Sequence, residues 1–322
     1  MRARVTAALV LPAVLVAAAL VTSPEISTAA SPSLDLPVQV CVHEASLTTT
    51  TSVAAEVCSS WQRQDTWRGR DSPIYTTTFV PNTTVPAVVV YAAWIRTTGT
   101  DLALYPGTKG PGPTTLDRGP EEVPLDARGH LLATFNSGFY EKSSAGGFYV
   151  NHTLYDPMLK GLATVVRYSS GKVNILTWEG GATPGANVVM ARQNLTLLVQ
   201  GGSPTLASQT DSLWGFTLDN DRFIWRTALG ITASGDLVYA AASEQSGSSL
   251  AHVMAVLHCV RAMELDINPS WPSFDVYSGP GAADPLADVP NPFQPADRFL
   301  SVSLKDFFAV YASNSPGEAQ PW

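Results

Sequence analysis

Short apolar runs alternate with polar, glycine- and proline-rich segments along most of the chain. Runs of this length that are rich in β-branched and aromatic residues are typical of strands. They occupy residues 88–95, 131–135, 163–168, 173–178, 195–199, 223–231, 237–241 and 307–311. Ser170-Gly171 and Ser234-Gly235 separate neighbouring runs and predict tight hairpin turns. The pattern therefore predicts a strand-dominated fold with much antiparallel pairing.

One segment departs from the strand pattern. Ser248 and Ser249 supply N-cap chemistry, and the apolar run that follows them has the length of a buried helix. We therefore predict a helix over about 248–260 that leads straight into a further strand. Together, these elements predict an α+β class, with a mixed or antiparallel sheet and one buried helix.

The N-terminus has the order of a secretory signal peptide: Arg2 and Arg4, then an apolar run, then small residues up to Ala30. The apolar run is shorter than the roughly 20 residues that a membrane-spanning helix needs. We expect cleavage near Ala30, a secreted protein and no membrane insertion after cleavage. An uncleaved anchor is the alternative.

The predicted organisation is a signal peptide, an N-terminal appendage, a main domain and a polar tail, at residues 1–30, 31–74, 75–312 and 313–322. Cys41 and Cys58 lie in the appendage, and in an oxidising compartment the simplest pairing is a disulfide between them. Two free buried thiols are the alternative. Cys259 lies in an apolar run, so we expect a buried small hydrophobic residue and not a nucleophile.

Charge and motif content exclude several classes of function. After removal of the signal peptide, the chain carries 17 basic and 26 acidic residues, and the basic ones are scattered singly. Nucleic-acid binders need a basic stripe, so we expect no nucleic-acid partner. The sequence has no zinc-ligand spacing, phosphate-binding loop or Gly-x-Ser-x-Gly elbow, and we expect neither a metal nor an organic cofactor. The sequence does not indicate an oligomeric state.

Two carboxylates follow the predicted helix. If residues 262–268 form a strand, Glu264, Asp266 and Asn268 share one face. The Cα atoms of Glu264 and Asp266 would then lie roughly 6.6 Å apart, a spacing suited to an acid/base pair. Burial and like charge would raise the pKa of one of them. A solvated polar face on an edge strand is the alternative.

Two further strands carry candidate binding groups. Arg226 lies alone in an apolar strand and needs an anion, which could be a substrate phosphate or a structural partner such as Asp219 or Asp221. Asn136 lies at a strand end before Gly138, where it could donate to a phosphoryl or sugar oxygen. A plain turn is the alternative there.

Three of these stretches, in this order, resemble the phosphodiester glycosidase family. The domain of this family is the N-acetylglucosamine-1-phosphodiester alpha-N-acetylglucosaminidase-like domain. Within the family, the sequence resembles a secreted bacterial branch. That family has an Asn-Gly-Gly-Phe-type strand end, an Arg-Thr-Ala-x-Gly strand and, after a helix, Leu-Asp-Gly-Gly-Gly-Ser. The corresponding stretches here are Asn136-Ser137-Gly138-Phe139, Arg226-Thr227-Ala228-Leu229-Gly230 and Leu265-Asp266-Ile267-Asn268-Pro269-Ser270. The resemblance covers about 85–311. Ser137 and Ile267 to Pro269 replace glycines, and proline has no amide hydrogen to offer a ligand.

The resemblance implies a secreted hydrolase that cleaves a sugar-1-phosphodiester in envelope or extracellular glycan, with that glycan or sugar phosphate as its partner. By position, the resemblance carries over Asn136, Gly138, Arg226, Asp266 and Ser270. Together with the strand pattern around Asp266, we expect catalytic roles for Asp266 and Glu264, and substrate-binding roles for Asn136, Gly138, Arg226, Asn268 and Ser270. Two alternatives stay open. One is a non-catalytic glycan-binding protein that stacks sugars on Trp271 and Tyr277. The other is a structural envelope protein in which Glu264, Asp266 and Arg226 form an internal ion-pair network.

Overall fold

The computed structural model describes residues 37–43, 56–64, 71–81, 88–113, 116–140, 146–210, 213–214, 221–279 and 281–313. All of them belong to the unit Pro37–Trp322. The predicted signal peptide, with its cleavage site near Ala30, lies outside the described residues, as do residues 314–322 of the predicted tail. In the described ranges, no helix combines the length and the apolar character of a membrane span.

The secondary structure is mostly strand. In chain order the strands are β1 Val40–His43, β2 Glu56–Ser59, β3 Gln62–Arg63, β4 Ile74–Phe79, β5 Val90–Ile95, β6 Thr100–Tyr105, β7 Leu131–Asn136, β8 Phe148–Val150, β9 Thr153–Asp156, β10 Ala163–Tyr168, β11 Val173–Thr177, β12 Val188–Gln193, β13 Leu197–Gln200, β14 Ser203–Pro204, β15 Ile224–Thr232, β16 Leu237–Gln245, β17 Cys259–Glu264, β18 Phe274–Tyr277, β19 Pro285–Ala287 and β20 Phe307–Ala312. The helix α1, Gly247–Val256, connects β16 to β17.

The strands form four sheets in which neighbouring strands pair antiparallel. An eight-stranded sheet has the order β14-β13-β17-β15-β16-β5-β4-β3, and β1 pairs with β2. The first five-stranded sheet is β11-β10-β12-β8-β9, and the second is β19-β18-β7-β20-β6. β3 and β4 pair in one sheet, and they lie on the two sides of the predicted domain boundary at residue 74.

The predicted α+β class is wrong, and the fold is mostly β. Strands account for 43% of the described residues, and helix, with the short 3-10 segments included, for 9%. An α+β fold needs a helical layer to cover a sheet, whereas here the three larger sheets bury their apolar faces against one another. The ten-residue α1 covers only part of the opposite face of the eight-stranded sheet. The predictions of strand dominance and antiparallel pairing are confirmed.

The main core lies among the three larger sheets because alternate residues of each strand point inward. Phe135 of β7 lies near its centre, with its ring 5.7 Å from that of Phe274 and 5.1 Å from that of Phe308. The ring of Tyr239, on the eight-stranded sheet, is 5.5 Å from Phe135. These aromatic contacts bring the second five-stranded sheet against the eight-stranded sheet where the candidate motifs end.

The helix begins and ends earlier than its predicted bounds. Ser246 is the N-cap, and its side chain and that of Ser249 form a reciprocal capping box. The helix ends at Val256, and His258 has a left-handed φ of 60°. The apolar run continues into β17, and apolar character alone does not separate a buried helix from a buried strand.

The cysteine predictions are confirmed. Cys41 and Cys58 face each other in the β1–β2 pair and form a disulfide. Cys259 is a buried free thiol, and burial raises its pKa. The predicted hairpin turns are also present, with Gly171 between β10 and β11 and Gly235 between β15 and β16, each at a positive φ that favours glycine.

Candidate functional site

The two predicted carboxylates lie at the end of β17, in the middle of the eight-stranded sheet. Glu264 is the last residue of the strand and faces Ala228 of β15. The backbone stays bonded to β15 beyond this point, because Leu265 N donates to Thr227 O and Thr227 N to Asp266 O, both at 2.8 Å. Asp266 therefore keeps a fixed position although the regular strand has ended.

Arg226 and Glu264 form a buried ion pair. Arg226 Nη1 lies 2.6 Å from Glu264 Oε1, and the two residues are 2% and 0% exposed. The guanidinium also donates to Gln245 O at 2.7 Å and to Trp214 O at 2.8 Å. Burial raises the pKa of Glu264 to about 7, against the lowering effect of Arg226. The anion that Arg226 binds is thus Glu264.

The hydroxyl of Thr227 joins the other two motifs. Asn136 Nδ2, at the end of β7, donates to Thr227 Oγ1 at 3.0 Å, and Asp266 N donates to the same oxygen at 2.9 Å. Tyr239 OH donates to Asn136 Oδ1 at 2.8 Å. The three stretches are far apart in sequence, and one side-chain oxygen connects them.

Asp266 has its own cation, Lys305, which the sequence interpretation did not find. Lys305 Nζ pairs with Asp266 Oδ2, and Asp266 Oδ1 accepts from Ile267 N at 2.8 Å. Burial raises the pKa of Asp266, while the charge of Lys305 lowers it. Lys305 Nζ also lies 4.9 Å from the ring centroid of Tyr140 and 5.1 Å from that of Trp271.

Asn136, Arg226, Thr227, Glu264, Asp266 and Lys305 form a buried polar cluster. The remaining predicted residues surround this cluster. Gly138 packs closely, and a Cβ there would lie 3.3 Å from Arg192 Nη2. Asn268 and Ser270 are half-buried and form a turn, in which Asn268 Oδ1 accepts from Ser270 N at 2.9 Å. Ser270 O in turn accepts from Gln294 Nε2 at 2.8 Å. Asn268 and Ser270 thus shape the loop after Asp266.

The two aromatic residues proposed as sugar platforms differ. Trp271 is half-buried beside Lys305, which is compatible with stacking at the edge of the cluster. Tyr277 is only 3% exposed, and its hydroxyl bonds to Thr134 Oγ1 and to Ala296 O. The expectation of an exposed Tyr277 is wrong, because β18 turns this side chain into a core.

Glu264, Asp266 and Asp306 each have a separate cation. Besides the pairs of Glu264 and Asp266, Asp306 Oδ2 lies 2.8 Å from Arg192 Nε. Glu264 is enclosed completely, whereas Asp266 pairs with Lys305, whose ammonium lies against the rings of the half-buried Tyr140 and Trp271. Asp266 is therefore the better placed of the two predicted carboxylates for chemistry. Within the described part of the chain, no three His, Cys, Asp or Glu side chains form a metal-binding group.

Comparison with known proteins finds similar solved structures at low sequence identity. No protein-family model matches this chain, and neither does any curated protein sequence. The zebrafish N-acetylglucosamine-1-phosphodiester alpha-N-acetylglucosaminidase catalytic domain, auto-inhibited by its pro-peptide, is similar with a TM-score of 0.48 and 13% identity, over 79% of this chain and 88% of that one.

Two bacterial structures are also similar. A hypothetical protein from Synechocystis has a TM-score of 0.43 and 14% identity, over 76% of this chain and 63% of that one. A protein from Burkholderia pseudomallei K96243, described as exported, has a TM-score of 0.37 and 12% identity, over 70% and 74% of the two chains. Likeness at these identities gives no residue a role.

Proposed function

We propose that this protein is a secreted hydrolase that cleaves a sugar-1-phosphodiester in envelope or extracellular glycan. The observation that carries the proposal is the convergence of Asn136 and Asp266 on the hydroxyl of Thr227. Each of these residues belongs to a different stretch that resembles the phosphodiester glycosidases. Their convergence agrees with one site assembled from all three stretches.

Asp266 is the catalytic base in this proposal. Burial raises the pKa of Asp266, while hydrogen bonds from Lys305 Nζ and from Ile267 N to its two oxygens favour the ionised carboxylate. An ionised carboxylate can take a proton from the water that attacks the sugar. The leaving phosphate is a weak base with a pKa of about 6, so charge stabilisation contributes more to its departure than proton donation.

Arg226 and Glu264 have a supporting role. Their ion pair is buried, and the guanidinium of Arg226 donates hydrogen bonds to Glu264 and to backbone carbonyls. The pair connects β15 to β17 and therefore fixes the strand end from which Asp266 projects. We assign it to positioning, and not to contact with substrate.

A structural role without catalysis is the second candidate, and one observation favours it. Asn136, Arg226 and Asp266 are only 4%, 2% and 3% exposed, which is typical of an internal polar network. In that case the same contacts would serve only to hold the sheets together. Catalysis instead requires substrate to reach the buried Asp266.

Release of free sugar by the purified mature chain from a panel of sugar-1-phosphodiesters separates the two candidates. Asp266→Asn should lower turnover by roughly 10²- to 10⁴-fold, because a positioned base contributes about that much. Asp101→Asn is the matched control, since Asp101 also pairs with a buried cation, Arg167, away from the cluster. Turnover unchanged in a folded Asp266→Asn protein, or absent from wild type with the whole panel, would favour the structural role.

A further inference from the structure

A phosphodiester carries negative charge that the protein must neutralise, and Arg226 does not do so. Its guanidinium bonds to Glu264, Gln245 O and Trp214 O inside the protein. Lys305 is one nearby cation, but its charge is already opposed by Asp266. A second cation close to Asp266 is therefore needed to bind a phosphate.

Arg298 lies in a suitable place. It begins a short 3-10 helix, Arg298–Leu300, and its Cζ lies 5.2 Å from the ring centroid of Trp271 and 4.4 Å from that of Phe299. Lys305 approaches the same Trp271 ring. Aromatic contacts of this kind hold a guanidinium in a fixed orientation and leave its N–H groups available. The plane of Arg298 is thus preset before a ligand arrives.

Two buried polar atoms, one on Arg298 and one on Asp275, have no hydrogen-bond partner among the described residues. Arg298 Nη1 is buried and has no hydrogen-bond partner among them. The same holds for Oδ2 of Asp275, a residue 2% exposed on β18. Native proteins rarely leave buried polar atoms unpaired, and the exceptions often mark binding or catalytic sites. The unpaired donor Arg298 Nη1 and the unpaired acceptor Asp275 Oδ2 therefore indicate a polar ligand.

The charges around Arg298 connect it to Asp266. Burial lowers the pKa of Arg298 to about 10, while the charges of Asp275 and Asp266 raise it. Both carboxylates are therefore within electrostatic range of the guanidinium. Asp275 nevertheless makes no direct ion pair with Arg298 among the described residues, and burial raises its pKa well above the ordinary value. The two groups are neighbours without contact.

We propose that Arg298 is this second cation and binds the phosphate of the substrate, beside the Trp271 ring that it shares with Lys305, and that Asp275 accepts a hydrogen bond from a substrate hydroxyl. The planar fork of an arginine matches two phosphate oxygens, and a fixed cation there stabilises the charge that develops on the departing phosphate. This assignment depends on the proposed function for its substrate, but phosphate binding can be measured without turnover.

The test is calorimetric titration of the mature chain with inorganic phosphate, using wild type, Arg298→Ala and Arg298→Lys. Loss of the charged hydrogen bonds should weaken phosphate binding by about 10- to 100-fold in Arg298→Ala. Arg298→Lys keeps the charge but loses the fork, so it should also bind less tightly, and it decides the matter if Arg298→Ala does not fold. Arg261→Ala is the matched control, because Arg261 is partly buried and already bonds to Ile175 O and Asn174 Oδ1.

Phosphate affinity equal to wild type in both Arg298 variants, or no phosphate binding by wild type, would overturn the assignment. A kinetic comparison separates this failure from failure of the proposed function. Arg298→Ala should lose kcat/KM on a sugar-1-phosphodiester far more than on a neutral aryl glycoside of the same sugar. Turnover that Arg298→Ala leaves intact on both substrates would refute the phosphate site alone. Phosphate binding that depends on Arg298, without turnover by wild type, would refute the hydrolase alone.

Discussion

Replacement of Glu264 by glutamine tests the balance between burial and ion pairing at the end of β17. Glutamine keeps the shape of the side chain and an oxygen that can accept from Arg226 Nη1, but it does not titrate. Any difference in pH dependence between wild type and Glu264→Gln therefore reports the ionisation of this one carboxyl. The comparison also cancels the contributions of the other buried acids.

The structure sets the sign and the size of the effect. Burial raises the pKa of Glu264 from 4.5 to about 7 in the folded protein. Between these two values the folded state binds the proton and the unfolded state does not, so stability falls as pH rises. At 1.36 kcal/mol for each pKa unit, the loss is about 3 kcal/mol, complete once the pH exceeds about 7.

Urea unfolding at a series of pH values from about 4.5 to about 8 measures this difference. We expect the unfolding free energy of wild type, relative to Glu264→Gln, to fall by about 3 kcal/mol across that range. Glu179→Gln is the matched control, because Glu179 pairs with Lys160 on the exposed surface, where such pairs contribute little. A relative stability that rises with pH would show that Arg226 outweighs burial, and the reasoning would be refuted.

Two further predictions concern stability. Replacing Cys41 and Cys58 by serine should lower the unfolding free energy by about 3 kcal/mol, because their disulfide closes a loop with a sequence separation of 17 residues; an unchanged denaturation midpoint would contradict this. Gly230→Ala should cost about 1–3 kcal/mol in the same assay, because its Cβ would lie 2.4 Å from Cys259 Sγ in a packed core. An unfolding free energy of Gly230→Ala equal to that of wild type would show that the core rearranges to accommodate the added Cβ.

The strands could be predicted because their side chains alternate or form β-branched runs between turn residues. The run at 163–168 agrees with β10 at both ends. The helix could be located but not bounded, since residues 250–260 are mostly apolar and only tertiary contact assigns Cys259 to β17. The fold class was wrong because sequence does not show that the sheets cover one another, which leaves the short helix α1 with little surface to cover.

The site could be predicted in part, and the reason lies in how each residue finds its partner. Asn136 and Asp266 stand in recognisable motifs, and the structure brings both to Thr227. Lys305 and Arg298 lie in no motif that was identified, and both precede β20, which pairs with β7 so that Phe307 lies opposite Asn136. The strand topology determines which residues distant in sequence come together, and the spacing of residues along the chain does not reveal it.

The spacing of Glu264 and Asp266 suggested one acid/base pair, but in the fold each carboxylate pairs with a different cation. Arg226 from β15 pairs with Glu264, and Lys305 before β20 pairs with Asp266. Both carboxylates have their own cation, but Glu264 is completely buried in its ion pair, so we do not expect it to replace Asp266 as a base. Changes at Glu264 should therefore alter the unfolding free energy first, and changes at Asp266 should alter turnover first.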